Sequence, residues 1–342
     1  MNLFRSLLLG SAACLTLPVL AQAEPAVVVS IKPLHSLVAG VMEGVGEPEV
    51  IVDGAASPHT YSLRPSQAGD LEKADVVFWV GPQVSSFLEK PLETLGRDAT
   101  VVNLSDAPDM TLLDLREGGT FEEHDHAHGE QDEHAEHDDH DDHAKHDDHD
   151  DHAKHDDHDD HAKHDDHAGA VNPHFWLDPI NAKAMVHLIE EALSRADTDN
   201  AGRYEANAKA LEKRLDELTT EVSATLEPVR GKSFIVFHDA YPYFENRFGV
   251  SAAGSITVSP EVAPGAARVT EIREKVKDIG VTCVFSEPQF EPKLVTVITE
   301  GTAAKSGVLD PLGATIDGGP ELYFELIRTM ANDMRNCLSG NS

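Results

Sequence analysis

The 342-residue chain lacks any apolar run long enough to cross a bilayer, and the one pronounced apolar stretch, near its start, falls short. That absence argues against a protein built of membrane-spanning helices. Cysteine is scarce too: Cys14, Cys283 and Cys337 are the only three, and none forms the close-spaced pair typical of thiolate zinc sites. Positive charge is in short supply, with 27 Lys and Arg against 61 Asp and Glu and a formal net charge of -34. A surface of that sign argues against nucleic acid and anionic membrane as partners, and it attracts cations.

The one apolar stretch, Ser6 to Leu20, follows the single basic residue Arg5 and ends at the small-x-small site Ala21-Gln22-Ala23. It is too short to span and has no stop-transfer pattern after it, so residues 1–23 read as a secretory signal peptide. Cys14 would suit a lipid anchor, but Ser11 stands where such signals want a large aliphatic residue. Export from Glu24 onward leaves Cys283 and Cys337 in an oxidising compartment, where an even pair reads as a structural disulfide. Cys283 lies in the strand-like run Val281 to Phe285 and Cys337 in the last helical stretch, so the bridge would staple that helix to a sheet.

From Glu24 the pattern alternates. Val27 to Ile31, Val50 to Val52, Asp75 to Gly81 and Thr100 to Leu104 read as strands; Pro33 to Glu43, Ser66 to Lys73 and Val84 to Leu95 read as helices. Continuous apolar strands alternating with helices imply a parallel sheet covered on both faces. Helices follow at Asn181 to Ser194 and at Asn200 to Leu226, the latter periodic in Leu211, Leu215 and Leu218 and roughly 40 Å long at about 1.5 Å per residue. A second alternation then runs through strands Ser233 to Phe237, Ala253 to Val258, Val281 to Phe285 and Gly307 to Leu309. Helices from Ala240, over Gly265 to Ile279, over Pro292 to Ala303 and over Glu321 to Cys337 separate and complete them. The expected fold class is α/β, with two similar lobes of parallel sheet joined by one long rigid helix. The lobes would be 24–198 and 228–342, the helix 199–227.

Residues 122–168 break the pattern. The unit His-Asp-Asp-His-Asp-Asp-His-Ala-Lys occurs three times from His137, and between Glu122 and His167 there are 21 acidic residues against 3 lysines. Fifteen histidines fall here: His124, His126, His128, His134, His137, His140, His143, His146, His149, His152, His155, His158, His161, His164 and His167. Without apolar residues the segment cannot offset the entropy of ordering, and it is expected to be disordered when free of metal. Histidine at every third position among aspartates offers overlapping nitrogen and oxygen ligand sets, suited to weak, exchanging zinc, copper or nickel. The bland alternative is a solvated spacer.

Three histidines outside this tract stand differently. His59 follows Ser57-Pro58 in a polar turn after a strand, and His174 is pinned between Pro173 and the apolar Phe175-Trp176-Leu177. His238 ends the run Phe234 to Phe237. Ligands of parallel sheets gather after the carboxyl ends of strands. Asp310, after Val308-Leu309, is placed alike. Three neutral imidazoles and one carboxylate in a cleft between the lobes would fit Zn(II), whereas manganese prefers more oxygen. Each residue taken alone could equally be a hydrogen-bonded structural group, and Asp310 could cap a turn. His35 and His187 read as structural, and Glu287 could line the cleft though no spacing demands it.

Four ordered segments sharpen this reading: Ser57-Pro58-His59-x-Tyr61-x-x-Arg64-Pro65-Ser66, Asn172-Pro173-His174-Phe175-Trp176-Leu177-Asp178-Pro179, Phe237-His238-Asp239-Ala240-Tyr241 and Asp310-Pro311-Leu312-Gly313. Together with the histidine-rich stretch before the second, they resemble the zinc-binding periplasmic component of ATP-binding-cassette metal importers, over nearly the whole chain after Glu24. The resemblance implies a periplasmic, monomeric, non-enzymatic solute-binding protein that passes Zn(II) to a membrane permease. It implies His59, His174 and His238 as ligands, with Asp310 or water fourth, since Pro58 stands where some members carry an acid. The family's disulfide partners match Cys283 and Cys337. Two other functions fit the residues: a periplasmic metal buffer, and a three-histidine zinc hydrolase, for which no general base is evident.

Overall fold

Proline placed just after a strand and its turn is the local device that starts helix after helix. Its fixed φ suits the first helical turn, where its missing N–H has no partner to lose. The computed structural model describes residues 24–116, 170–257, 260 and 262–340. The expected signal peptide, 1–23, and the histidine tract, 122–168, lie outside the described residues. Packing divides the chain into two units, one of Met1–Met110, Trp176–Thr225 and Asp310–Asn332, the other of Thr111–Phe175, Leu226–Leu309 and Asp333–Ser342.

In the first unit, β1 (Val27–Ile31), α1 (Lys32–Val41), β2 (Glu49–Val52), α2 (Pro65–Lys73), β3 (Val76–Trp79), α3 (Pro82–Ser85), α4 (Glu89–Thr94) and β4 (Thr100–Asn103) alternate as the apolar pattern predicts. The sheet is parallel, in the order β2-β1-β3-β4. All five residues of β1 are buried, as expected for a central strand covered on both faces. The expected single helix over Val84 to Leu95 is instead two helices with a 3-10 turn between them. A continuous helix would put Pro91 in its interior, without an N–H and against the preceding turn; restarting at Glu89 moves Pro91 into a first turn.

Two longer helices, α5 (Pro179–Ala196) and α6 (Ala201–Leu226), complete this unit's core. Asp178 caps α5 by accepting the Ile180 N–H at 2.8 Å. Leu211 of α6 meets α1 at Gly40, where an added Cβ would stand 2.7 Å from the leucine's Cδ1, so the glycine permits the close approach. The turn at 310–316 is fixed from within the unit: Lys32 Nζ donates to the carbonyls of Gly313 and Ile316 at 2.9 and 2.7 Å, and Trp176 Nε1 to that of Pro311 at 2.9 Å. Tyr323 in turn donates to the Trp176 carbonyl at 2.7 Å. These bonds explain why Trp176 and 310–332 belong here rather than following the order of the chain.

The second unit repeats the plan with β5 (Phe234–Val236), α7 (Pro242–Phe248), β6 (Ala252–Ser255), α8 (Ala266–Asp278), β7 (Cys283–Ser286), α9 (Lys293–Thr299), β8 (Lys305–Val308) and the end of α10 (Leu322–Ser339). Its parallel order, β6-β5-β7-β8, is that of the first sheet. Helix α7 begins at Pro242 rather than Ala240, because the Ala240 N–H turns back to the His238 carbonyl at 2.9 Å. Cys283 and Cys337 form a disulfide that joins β7 to α10 across 54 residues of chain. A closed loop of that length contributes about 2–4 kcal/mol by restricting the unfolded chain. Gly307 of β8 leaves room for it, since a Cβ there would stand 2.6 Å from Phe285 and 3.3 Å from Cys337 Sγ.

Candidate metal centre

His238 leaves the carboxyl end of β5 and Glu287 that of the neighbouring β7. The two strands pair Phe234 with Cys283 and Ile235 with Val284, an offset of 49 residues that brings His238 level with Glu287. Glu287 Oε1 accepts from His238 Nδ1 at 2.8 Å and also faces its backbone N–H at 3.4 Å. On the other flank, Phe290 packs edge-on against the imidazole, with centroids 6.0 Å apart. Both residues are buried, His238 at 4% and Glu287 at 2% exposure.

His174 is held by a different acceptor with the same result. Asn172 Oδ1 faces both its backbone N–H and its Nδ1, at 3.1 and 3.0 Å. The amide cannot be reversed, because Asn172 Nδ2 donates to the Asp239 carbonyl at 2.9 Å. In the neutral form of each imidazole the proton therefore sits on Nδ1 and the lone pair on Nε2. The two Nε2 atoms point at each other across 3.3 Å. Two nitrogens on a tetrahedral zinc at about 2.0–2.1 Å stand about 3.3–3.4 Å apart, so the pair already has the spacing of two ligands of one ion. Without a shared cation, two facing lone pairs repel.

His59 lies in the 3-10 turn Pro58–Thr60 after β2, half-buried. One side chain organises that loop: Gln67 of α2 accepts from the Arg64 N–H at 3.0 Å, donates to the Ile51 carbonyl at 2.6 Å and pairs with the Tyr61 hydroxyl. Of the three histidines, His174 and His238 stand together in the second unit, and His59 belongs to the first, as does Asp310. Its carboxylate receives the N–H groups of Leu312 and Gly313, each at 3.0 Å, and that of Ala314 at 2.5 Å. His35 is tied by Nε2 to the Pro48 carbonyl at 2.8 Å, and burial lowers its pKa; His187 is an exposed neighbour of Glu191 at 3.5 Å. The fifteen tract histidines lie outside the described residues.

Glu287 is the residue that spacing along the chain underweights. Its second oxygen, Oε2, is buried and has no hydrogen-bond partner among the described residues. A buried carboxylate behind an imidazole raises the electron density at the far nitrogen and favours a cation there. Replacing Glu287 by Gln keeps the shape and removes the charge; the expected result is a zinc Kd higher by about 10–100-fold, read by chelator competition. An unchanged Kd in both Glu287→Gln and Glu287→Ala would reduce the residue to a space-filler. Asn172 was visible as part of a motif, but its role was not. An Asx two residues before a histidine is a turn-former, and that was the available signal.

The chain matches the family model described as zinc-uptake complex component A periplasmic over residues 27–337. It is 58% identical over 320 residues to a protein of Brucella suis biovar 1 named high-affinity zinc uptake system protein ZnuA, covering 94% of this chain and 93% of that one. The solved structure titled "Crystal structure of ZnuA" superposes with a TM-score of 0.69 at 22% identity, covering 91% of this chain and 98% of the other. One titled "138-173 ZnuA deletion mutant plus zinc bound" gives 0.68 at 22%, over 91% and 96%.

Proposed function

The chain belongs to the family of periplasmic zinc-uptake components, and from that premise we propose that it captures Zn(II) on His59, His174 and His238. It then hands the ion to the membrane permease of an ATP-binding-cassette importer. It is a binding component, not an enzyme: the zinc is cargo and no bond is made or broken in it. The observation that carries this reading is the facing Nε2 pair at 3.3 Å, with each ring's Nδ1 committed to a fixed acceptor. Neutral imidazoles preset in this way bind a borderline cation tightly, because little ordering remains to be done when the ion arrives. The fourth position falls to Asp310 or to water.

The proposal extends to address and assembly. Among the described residues no helix is long and apolar enough to cross a membrane. Residues 1–23 carry the chain to the periplasm, where it acts as a monomer. The tract at 122–168 gathers zinc weakly ahead of the tight site. A strain lacking the protein is expected to stop growing in zinc-depleted medium and to recover when zinc is added back. Normal growth there, with sensitivity only to excess metal, would replace import by buffering.

A further inference from the structure

The insertion that carries the histidine tract 122–168 is joined at its two ends. Asp114 and Val171 form an antiparallel bridge; the Leu115 N–H donates to the Ala170 carbonyl at 2.7 Å and the Asn172 N–H to that of Leu113 at 2.8 Å. This short ladder lies on α7. The Leu113 N–H donates to the Tyr243 hydroxyl at 3.1 Å, and that hydroxyl donates to the Asn172 carbonyl at 2.7 Å. Arg116 closes the arrangement. Its guanidinium donates through Nε to Asp239 Oδ2 at 3.1 Å, and through Nη1 and Nη2 to the Glu245 carboxylate at 2.8 and 3.0 Å. Glu245 also accepts the Ala252 N–H at 3.0 Å, which ties the ion pair to β6.

Asp239 is therefore gripped twice from the insertion's roots, at its carboxylate by Arg116 and at its carbonyl by Asn172. It is covalently next to His238. Asn172 holds His174 with its other amide atom, so one side chain spans from one ligand to the neighbour of the other. We infer that the roots, Leu113–Arg116 and Ala170–Asn172, are the positioning element of the His174/His238 pair, with Arg116, Tyr243 and Asn172 as positioning residues. The insertion is then built into the metal site through its stem, whatever its histidines do. Burial opposes the charge on Arg116, but its bonds to Glu245 and Asp239 outweigh that and hold it protonated. Removing it leaves two buried carboxylates uncompensated, and relief comes from movement of the Asp239 segment that carries His238.

This inference rests on the reading of His174 and His238 as zinc ligands, and its test keeps the two apart. Zinc Kd, zinc dissociation rate and metal-free Tm are measured for the full chain, for His238→Ala, Arg116→Met and Tyr243→Phe, and for a chain lacking 122–168 with both roots intact. Arg116→Met is expected to raise Kd about 10–100-fold and to speed dissociation, Tyr243→Phe to act in the same direction, and the trimmed chain to keep the parent's dissociation rate, with a Kd close to the parent's at about 0.15 M salt. The imidazole 15N shifts of metal-free Tyr243→Phe are expected to report loss of the single Nδ1–H form of His174. Should Arg116→Met not fold, Tyr243→Phe decides. Root variants that lose Tm yet bind zinc as the parent does would make the stem merely structural and overturn the inference. A parent without tight zinc, or one indifferent to His238→Ala, would remove the function reading and this inference with it.

Discussion

Replacing His238 by alanine is expected to weaken Zn(II) binding by roughly two to three orders of magnitude. The estimate follows from apparent zinc-binding energies of about 10–16 kcal/mol shared among four ligands, or about 2.5–4 kcal/mol each. Two effects add at this position. The ion loses one nitrogen, and Glu287 Oε1 loses the Nδ1–H it faces at 2.8 Å, leaving a carboxylate at 2% exposure with only the backbone N–H of residue 238 at 3.4 Å. The second effect acts on the metal-free protein too, at about 1–3 kcal/mol for a buried polar group deprived of its partner. His59→Ala separates the two, because His59 is half-buried and Gln67 braces its loop. Zinc should raise the Tm of the parent by mass action and hardly raise that of either variant at the same free zinc. Chelator competition on all three proteins checks the prediction. A near-parental Kd in His238→Ala would reject a three-histidine site.

What could be read from the chain alone divides along a physical line. Strands β1, β3 and β5 were legible because a strand covered on both faces is an uninterrupted apolar run, and the helices because proline and periodicity mark them. Two helices were misjudged: local propensity over Val84 to Leu95 hid the cost of an interior Pro91, and α7 starts at Pro242 rather than at Ala240. His59, His174 and His238 stood out because each follows an apolar run or a proline at a place where ligands of parallel sheets collect. Their partners did not. Glu287 meets His238 only through the 49-residue register of β5 on β7, Arg116 reaches Asp239 across 123 residues, and Tyr243 reaches Asn172 across 71. Such pairs depend on which strands become neighbours, and no local pattern encodes that. The first unit's claim on Trp176 and 310–332 was hidden for the same reason, since the Tyr323 and Pro311 bonds that decide it span 147 and 135 residues.

Deleting residues 122–168 is expected to leave one tight zinc site and to lower the total zinc bound at saturation. The proposed tight site stands on acceptors outside the deleted segment: Glu287 behind His238, Asn172 behind His174 and Gln67 under the His59 loop. The deletion removes fifteen of the 20 histidines, and with them the overlapping weak ligand sets. It also removes 21 acidic residues and 3 lysines, about half of the formal net charge of -34. That loss acts on encounter rather than on the bound state, because attraction between a surface field and a free cation sets the association rate and fades with salt. The trimmed protein should thus take up zinc more slowly than the parent at low ionic strength, with the difference shrinking at about 0.15 M, where the screening length is about 8 Å. Its dissociation rate should match the parent's. Stopped-flow uptake at two salt concentrations, with metal analysis at saturation, reads all three quantities. An unchanged stoichiometry would end the idea that the tract binds zinc. Loss of all tight binding with the tract would leave the facing imidazoles structural and make metal buffering the leading account of the protein.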